Sequence, residues 1–397
     1  MNILIIGNGV AGITAAKTIR QKSSEAVITV VTDEQFAYYN RPALIDFIAG
    51  RKKEDELYFY PESWYTQNNI KVLLEKSVQK LQLSAKSALL DDGSTISYDK
   101  LIIAAGASAN TLPIPGSDSP KVLTLRCLED AKTLMDEAGK TSQIAFIGGG
   151  VLGIEAAAAV KASFPAIDIT VIEVAPYLLP RQLDAKGGEI LSKCLAARGL
   201  KVIAGAKISA IGGDGAALDD GRKIPADLFV VSAGIKPNIK FAAEAGIAVA
   251  KGIIVNEYLE TSAPDVFAAG DCAEYKGVVW GIVPVAVEQA RIAASNAAFV
   301  GAKNLSPSQR YEGTVMSNTL KVAGIDLTTE GNIAEIDGIV TYEHADTAKE
   351  IYKKIFLKDG VIVGSMCMGD AEAAKKISAV RRSAKPVGEK EAKELIS

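Results

Sequence analysis

Two stretches of the chain repeat one pattern: a short unbroken apolar run, three spaced glycines, then a helix-forming run. Residues 3–6 precede Gly7, Gly9 and Gly12, and Ile13-Thr14-Ala15-Ala16-Lys17 follows. Residues 144–147 precede Gly148, Gly150 and Gly153, and an Ala-rich run continues to Lys161. Apolar runs without alternation predict strands buried on both faces, as in a parallel sheet. Each unit then enters a second apolar strand that ends on acid. Residues 27–31 lead to Asp33-Glu34, and residues 169–172 lead to Glu173. The glycines have separate steric tasks. The first makes the tight turn, the second lets backbone approach a pyrophosphate, and the third lets helix pack on strand. The helix N-terminus offers free N–H groups to phosphates. An acid about 20 residues further on accepts from a ribose.

The echo extends beyond the glycines. Strands are predicted at 70–74 and 77–83, a hairpin turn at Asp91-Asp92-Gly93, and a buried strand at 99–106 ending on Ala104-Ala105-Gly106. A second turn at Asp219-Asp220-Gly221 and a second buried strand at 227–234 match them. The first glycines lie 141 residues apart and the later landmarks 128 apart, which reads as an internal duplication of a dinucleotide-binding unit. Small residues at the strand ends let the chain pass close to a ligand. A further apolar strand, 263–269, delivers Gly270-Asp271-Cys272 at its C-terminal end, where ligands of open α/β sheets sit. The Asp271 carboxylate can accept from a sugar-alcohol chain. Pro284 opens a long helix expected over 285–299, with Glu288 and Gln289 on it. Its N-terminus would favour extra negative charge on a ring placed there. Tyr38, Tyr39, Arg41 and Pro42 form an aromatic and cationic cluster after the first acid, and 51–69 read as a surface helix and connection.

Residues 303–310 read as a linker. After Tyr311 come short alternating runs at 319–325, 338–342, 352–358 and 361–369, with a turn at Asp359-Gly360. These predict a small α+β domain ending in helices. The expected division is 1–108 and 235–310 for the first dinucleotide domain, 109–234 for the second, and 311–397 for the last.

Composition narrows the chemistry. The 397 residues are 48% hydrophobic and 23% charged, with net charge −3, so neither nucleic-acid binding nor a membrane span is expected. The chain starts directly on a strand and reads as soluble and cytoplasmic. Cys127, Cys194, Cys272 and Cys367 form no CxxC pair, and the one histidine, His344, lies late and reads as a surface residue. A redox disulfide, an imidazole-based triad and a metal site are all disfavoured. Lys375, Lys376, Arg381, Arg382 and Lys385 make a basic stretch, read as a solvated helix face before a docking patch. Glu173 would repel a 2′-phosphate, which predicts NADH over NADPH.

With both fingerprints, the Ala-Ala-Gly and Ser-Ala-Gly strand ends, and Ala269-Gly270-Asp271-Cys272, the chain resembles the two-dinucleotide FAD/NAD(P) oxidoreductases of the glutathione-reductase fold. Tyr38-Tyr39-Asn40-Arg41-Pro42, Trp64-Tyr65, Arg181-Gln182-Leu183-Asp184 with Gly187-Gly188, and Leu320-Lys321-Val322 with Gly324-Ile325 resemble the NADH:rubredoxin reductases within them. The resemblance implies two Rossmann-type domains plus a small C-terminal α+β domain. It implies FAD held by Gly7, Gly9, Val10, Ala11, Gly12, Asp33 or Glu34, Arg41, Pro42, Val78, Ala105, Gly106, Arg126, Gly270, Asp271 and Val283. It implies NADH held by Gly148, Gly150, Val151, Leu152, Gly153, Glu173, Arg181 and Gly234. Glu155 and Lys321 would position rings or tune flavin charge. The activity implied is hydride transfer from NADH to FAD, then single electrons to a small carrier, rubredoxin first, in a monomer or weak homodimer. A ferredoxin reductase, a nitrite-reductase-type electron-input component and a non-turnover redox sensor are the alternatives. Disulfide reductases of this fold carry cysteines in the first helix or the 38–46 loop; this sequence has neither.

Overall fold

The computed structural model describes residues 1–298, 309–314, 317–334 and 336–397. The chain divides into two compact units. One comprises Met1–Ala43, Lys53–Ala109 and Gly234–Thr314; the other comprises Leu44–Lys52, Asn110–Ala233 and Val315–Ser397.

The first unit is built on a five-stranded parallel sheet in the order Val266–Ala268, Lys100–Ile103, Asn2–Ile6, Val27–Val31, Ile70–Leu73. Ile6 pairs with Val31 on one side and Ile103 on the other. Ile3, Leu4, Ile5, Ile102 and Val30 are fully enclosed, which is why these strands read as unbroken apolar runs. The helix Val10–Lys22 packs on the helix Val283–Ala297. Ala15, Ala16, Ala290, Ala293 and Ala294 are buried among them, and small side chains permit the close approach. A three-stranded antiparallel meander, Val78–Gln82, Ser87–Leu90 and Thr95–Ser97, turns at Asp91-Asp92-Gly93 with Gly93 at φ +81°.

The second unit repeats this plan. Its parallel sheet runs Leu200–Ala204, Asp168–Glu173, Gln143–Ile147, Leu228–Val231, Val122–Thr124, and its meander is Ile208–Gly212, Gly215–Leu218 and Lys223–Ile224. The duplication is therefore topological as well as sequential. One strand differs in origin. The fifth strand comes from far downstream (Val266–Ala268) in the first sheet and from upstream (Val122–Thr124) in the second.

The second unit also contains an antiparallel sheet in the order Ser317–Val322, Ile325–Gly331, Val361–Met368, Ile351–Lys358, Ile339–Asp346, followed by helices Ala371–Ser383 and Glu389–Ile396. Here the sequence pattern misled. The expected single run 319–325 is two strands joined at Ala323 and Gly324, with φ +50° and +85°. That two-residue primed turn matches strand twist, but Val-Ala-Gly-Ile reads as one apolar run. The strand Ile325–Gly331 was consequently missed. The helix expected over 285–299 begins two residues earlier, with Pro284 in its first turn; Phe299 and 303–308 of the expected linker lie outside the described residues. The basic stretch is partly neutralised: Lys375 pairs with Glu372, and Arg381 pairs with the buried Glu330 at 3.2 Å. His344 is exposed, as expected.

This sheet docks on the helix Ala185–Ala197 through charge. Asp184 caps that helix by accepting from Gly187 N at 3.0 Å. Its other oxygen accepts from Tyr352 Oη at 2.6 Å and from the buried Lys354 Nζ at 2.8 Å. Burial pushes the Asp184 carboxyl up, but the Lys354 and Tyr352 hydrogen bonds outweigh it and hold the group below its ordinary range. A Cβ at Gly187 would stand 2.9 Å from the Tyr352 ring, so glycine is what lets the two elements meet.

Candidate functional site

The two glycine turns show which glycines serve packing and which do not. A Cβ on Gly7 or Gly148 would collide with the carbonyl of Ala104 or Ser232, and both glycines have positive φ. A Cβ on Gly12 or Gly153 would collide with the carbonyl of Gly7 or Gly148. A strand–helix turn needs these four with or without a ligand. Gly9 and Gly150 are different: a Cβ on either meets nothing within 4 Å, and both have ordinary extended backbone. No protein neighbour requires glycine there. The open space above each helix N-terminus is what a pyrophosphate needs. Val10 and Ala11, and Val151 and Leu152, form the first turns of the two helices, and Leu152 is 40% exposed.

The acids beyond the second strands are held in two ways. Glu173 is 9% exposed; Oε2 accepts from Gly149 N at 2.6 Å and Oε1 from Ala175 N at 2.7 Å. The carboxylate thus fixes the glycine turn itself, a role the sequence reading did not assign it. A carboxylate has about four acceptor positions, so both oxygens keep capacity for a ribose. Val174 beside it is 66% exposed, and Arg181 is exposed. In the first unit Asp33 is exposed, whereas Glu34 accepts from Tyr39 Oη at 2.6 Å and is ion-paired with Arg41. Glu34 thus has two side-chain partners in the loop that follows, Tyr39 and Arg41. Pro42 lies in the short helix Arg41–Ala43 that follows.

Asp271 lies in the one-turn helix Gly270–Cys272, just past the strand Val266–Ala268. Gly270 has φ +82° and its N–H donates to Gln289 Oε1 at 2.9 Å. Ala105 and Gly106, both half-buried, form a second rim. Asn238 Nδ2 donates to Ala105 O at 2.9 Å and Asn238 N to Gly106 O at 3.0 Å. A Cβ on Gly106 would meet nothing within 4 Å. Asn238 escaped sequence reasoning; the only signal was its place four residues past Gly234. Val283, at the first turn of its helix, is 42% exposed. The Trp280 indole N–H, just upstream, is buried without an acceptor among the described residues. Val78 packs on the core of the first unit. Arg126 belongs to the second unit, where its backbone N–H donates to Asp130 Oδ2 at 2.6 Å.

Within the second unit the structure brings Glu155 and the Lys321 hairpin together. Glu155, in the first turns of the helix Val151–Ser163, accepts from Ala323 N at 2.7 Å. Burial raises its carboxyl, the Ala323 N–H and Arg51 oppose this, and Asp46 adds to it. Lys321 is exposed, two residues before Ala323. The four cysteines are free. Burial pushes the Cys272 thiol to about 11 and the Cys367 thiol to about 12, so neither is a thiolate near neutral pH. Among the described residues, no cluster of three or more His, Cys, Asp or Glu could hold a metal, and no helix is long and apolar enough to cross a membrane.

Two paired dinucleotide turns with the Gly270-Asp271 turn define a class, and the comparisons agree. Residues 1–294 match the pyridine nucleotide-disulphide oxidoreductase family model, and the chain belongs to that family, whose members use FAD and NADH. Residues 317–384 match the rubredoxin NAD+ reductase C-terminal domain, which narrows the class. The chain is 34% identical over 380 residues to a nitrite reductase [NAD(P)H] of Bacillus subtilis, covering 94% of this chain and 46% of that protein. It thus spans about half the length of that relative. It is 32% identical over 383 residues to an NADH-rubredoxin oxidoreductase of Clostridium acetobutylicum, covering 96% and 95%. The solved NADH:rubredoxin oxidoreductase from that organism superposes with TM-score 0.84 at 30% identity, covering 99% and 98%. A ferredoxin reductase from Rhodopseudomonas palustris superposes with TM-score 0.87 at 26% identity, covering 98% and 97%.

Proposed function

We propose that this chain is an NADH-dependent, FAD-containing reductase of a small one-electron carrier, rubredoxin first. The observation that supports this best is the pair of turns in which only the middle glycine, Gly9 or Gly150, faces open space. Gly7–Gly12 and the N-terminus of Val10–Lys22 would receive the FAD pyrophosphate, and Glu34, steadied by Arg41 and Tyr39, its ribose. Ala105, Gly106, Asp271 and Val283 would line the ribityl chain and ring. Gly148–Gly153 would receive the NADH pyrophosphate and Glu173 its ribose, with Arg181 a few residues beyond it in sequence. Bound FAD supplies the conversion of a two-electron hydride into single electrons. The protein needs no proton donor for that step, which suits a chain with one exposed histidine and three of its four thiols buried.

Anaerobic stopped-flow tests the proposal. The FAD-loaded protein is reduced with NADH, then mixed with oxidised rubredoxin, ferredoxin or oxygen. Rubredoxin is expected to be reduced orders of magnitude faster than oxygen, with a rate that falls as salt screens charge. Fast reduction of ferredoxin alone would move the assignment to a ferredoxin reductase. Reduction of the flavin by NADH with slow transfer to every carrier would leave the cofactor sites standing. It would then favour an electron-input module, the arrangement suggested by the longer nitrite reductase relative.

A further inference from the structure

The Gly270-Asp271 turn is held from two sides. The strand side is main chain: Ala269 N donates to Ile103 O at 3.0 Å, and Cys272 Sγ lies 3.4 Å from the Ile103 and Ala269 carbonyls. The other side is one side chain. Gln289, with no exposed surface, accepts the Gly270 N–H on Oε1 at 2.9 Å. Gly270 is wedged as well. A Cβ there would stand 3.0 Å from Ala11 Cβ and 3.6 Å from Ala286 Cβ, at a positive φ. A side chain at Gly270 would be crowded by both helices, and the remaining freedom of the turn is rotation of the Ala269–Gly270 peptide that enters it. Gln289 removes that freedom. A buried amide costs free energy that an apolar side chain of the same volume does not; the helix's other buried amide, Asn296, donates to the Tyr258 and Gln309 carbonyls, whereas Gln289 Nε2 is buried without a partner among the described residues. The amide is therefore unexplained by packing alone.

We propose that Gln289 is a positioning residue for FAD: by fixing the Gly270 peptide it aims the Asp271 carboxylate at the ribityl hydroxyls. This rests on the reading of Asp271 as an FAD contact. The test titrates apoprotein with FAD and measures the midpoint potential for wild type, Gln289→Met, Asp271→Asn and the double variant. Gln289→Met keeps volume and loses the acceptor; Gln289→Leu is a second variant of the same kind should the first fail to fold. Gln289→Met is expected to raise the FAD Kd about tenfold and to shift the potential, with the apoprotein's circular dichroism unchanged. The double variant is expected to bind no more weakly than Asp271→Asn alone, because the two residues act in series. Multiplying effects, or an unchanged Kd in Gln289→Met and Gln289→Leu, would overturn the inference. An unchanged Kd in Asp271→Asn would overturn the reading of Asp271 itself, and the inference with it.

Discussion

The two glycine turns share a backbone and differ at the ribose end. Ile6 pairs with Val31 and Ile147 with Ile172, so the next residues, Thr32 and Glu173, occupy equivalent positions. In the second unit that position is the acid, and it is locked to the turn through Gly149 N. In the first unit it is a buried threonine, and the acid is displaced to Glu34, held from outside by Tyr39 and Arg41. The middle of the turn follows suit. A Cβ at Gly149 would stand 2.9 Å from Glu173 Cβ and 2.5 Å from Leu178 Cδ2, so glycine is required beside the acid. In the first unit, with Thr32 in place of the acid, the corresponding turn residue is Asn8. Sterics keep the glycine backbone the same in the two turns, while the acids and what holds them differ.

The glycines give the largest effects. Gly12→Ala and Gly153→Ala drive a Cβ into the carbonyl of Gly7 or Gly148, backbone that cannot step aside. A loss of about 3 kcal/mol or more is expected in denaturant melts of the apoprotein. Gly9→Ala and Gly150→Ala reverse the sign. Their backbone suits alanine and their Cβ meets open space, so apoprotein stability should hold or rise by about 0.5 kcal/mol. FAD affinity for Gly9→Ala, and NADH affinity for Gly150→Ala, should nevertheless fall by about tenfold or more. Undiminished affinity in either would mean that its turn is a packing device without a ligand.

The ribose acids come next. Glu173→Gln keeps one acceptor oxygen but turns the other into a donor against a backbone N–H, Gly149 or Ala175. The NADH KM should rise about tenfold, and the preference over NADPH should shrink as the charge that repels a 2′-phosphate disappears. Stronger preference for NADH in the variant would reject Glu173 as the selector. Glu34→Gln should cost less, about threefold in FAD Kd, because its partner Arg41 is partly solvated and such pairs contribute little.

Fold and cofactor turns were legible because their cause is local. Unbroken apolar runs, spaced glycines and Asp-Gly turns act within a few residues, and in the two parallel-sheet halves the strands and turns lie where the pattern put them. What escaped acts across the chain. Asn238 reaches Ala105, 133 positions away, and nothing near either residue announces it. The hold of Tyr39 and Arg41 on Glu34, the ground for proposing it over Asp33, follows from no spacing rule. The hairpin at Ala323-Gly324 was hidden because alanine carries no turn preference; its positive φ is imposed by the pairing of Val322 with Ile325.

Glu155 sharpens the comparison furthest, with the smallest expected effect. Counted from the third glycine, its counterpart in the first unit is Thr14, whose carbonyl accepts from Thr18 within the same helix. Glu155 reaches out, to the Ala323 N–H of the Lys321 hairpin. Glu155→Ala leaves that N–H without its acceptor and should slow reduction of bound FAD by NADH about threefold, or about 0.7 kcal/mol. Glu155→Gln keeps an acceptor oxygen and should lie between the two. Stability separates charge from hydrogen bond. Burial raises the folded-state carboxyl above its ordinary value of 4.5, so the group's contribution is full below that value and is lost as pH rises through the folded one. Glu155→Gln, which never ionises, should therefore melt slightly above wild type at neutral pH and level with it in acid. A variant that melts lower at neutral pH, with an unchanged reduction rate, would make Glu155 an ordinary tether between helix and hairpin.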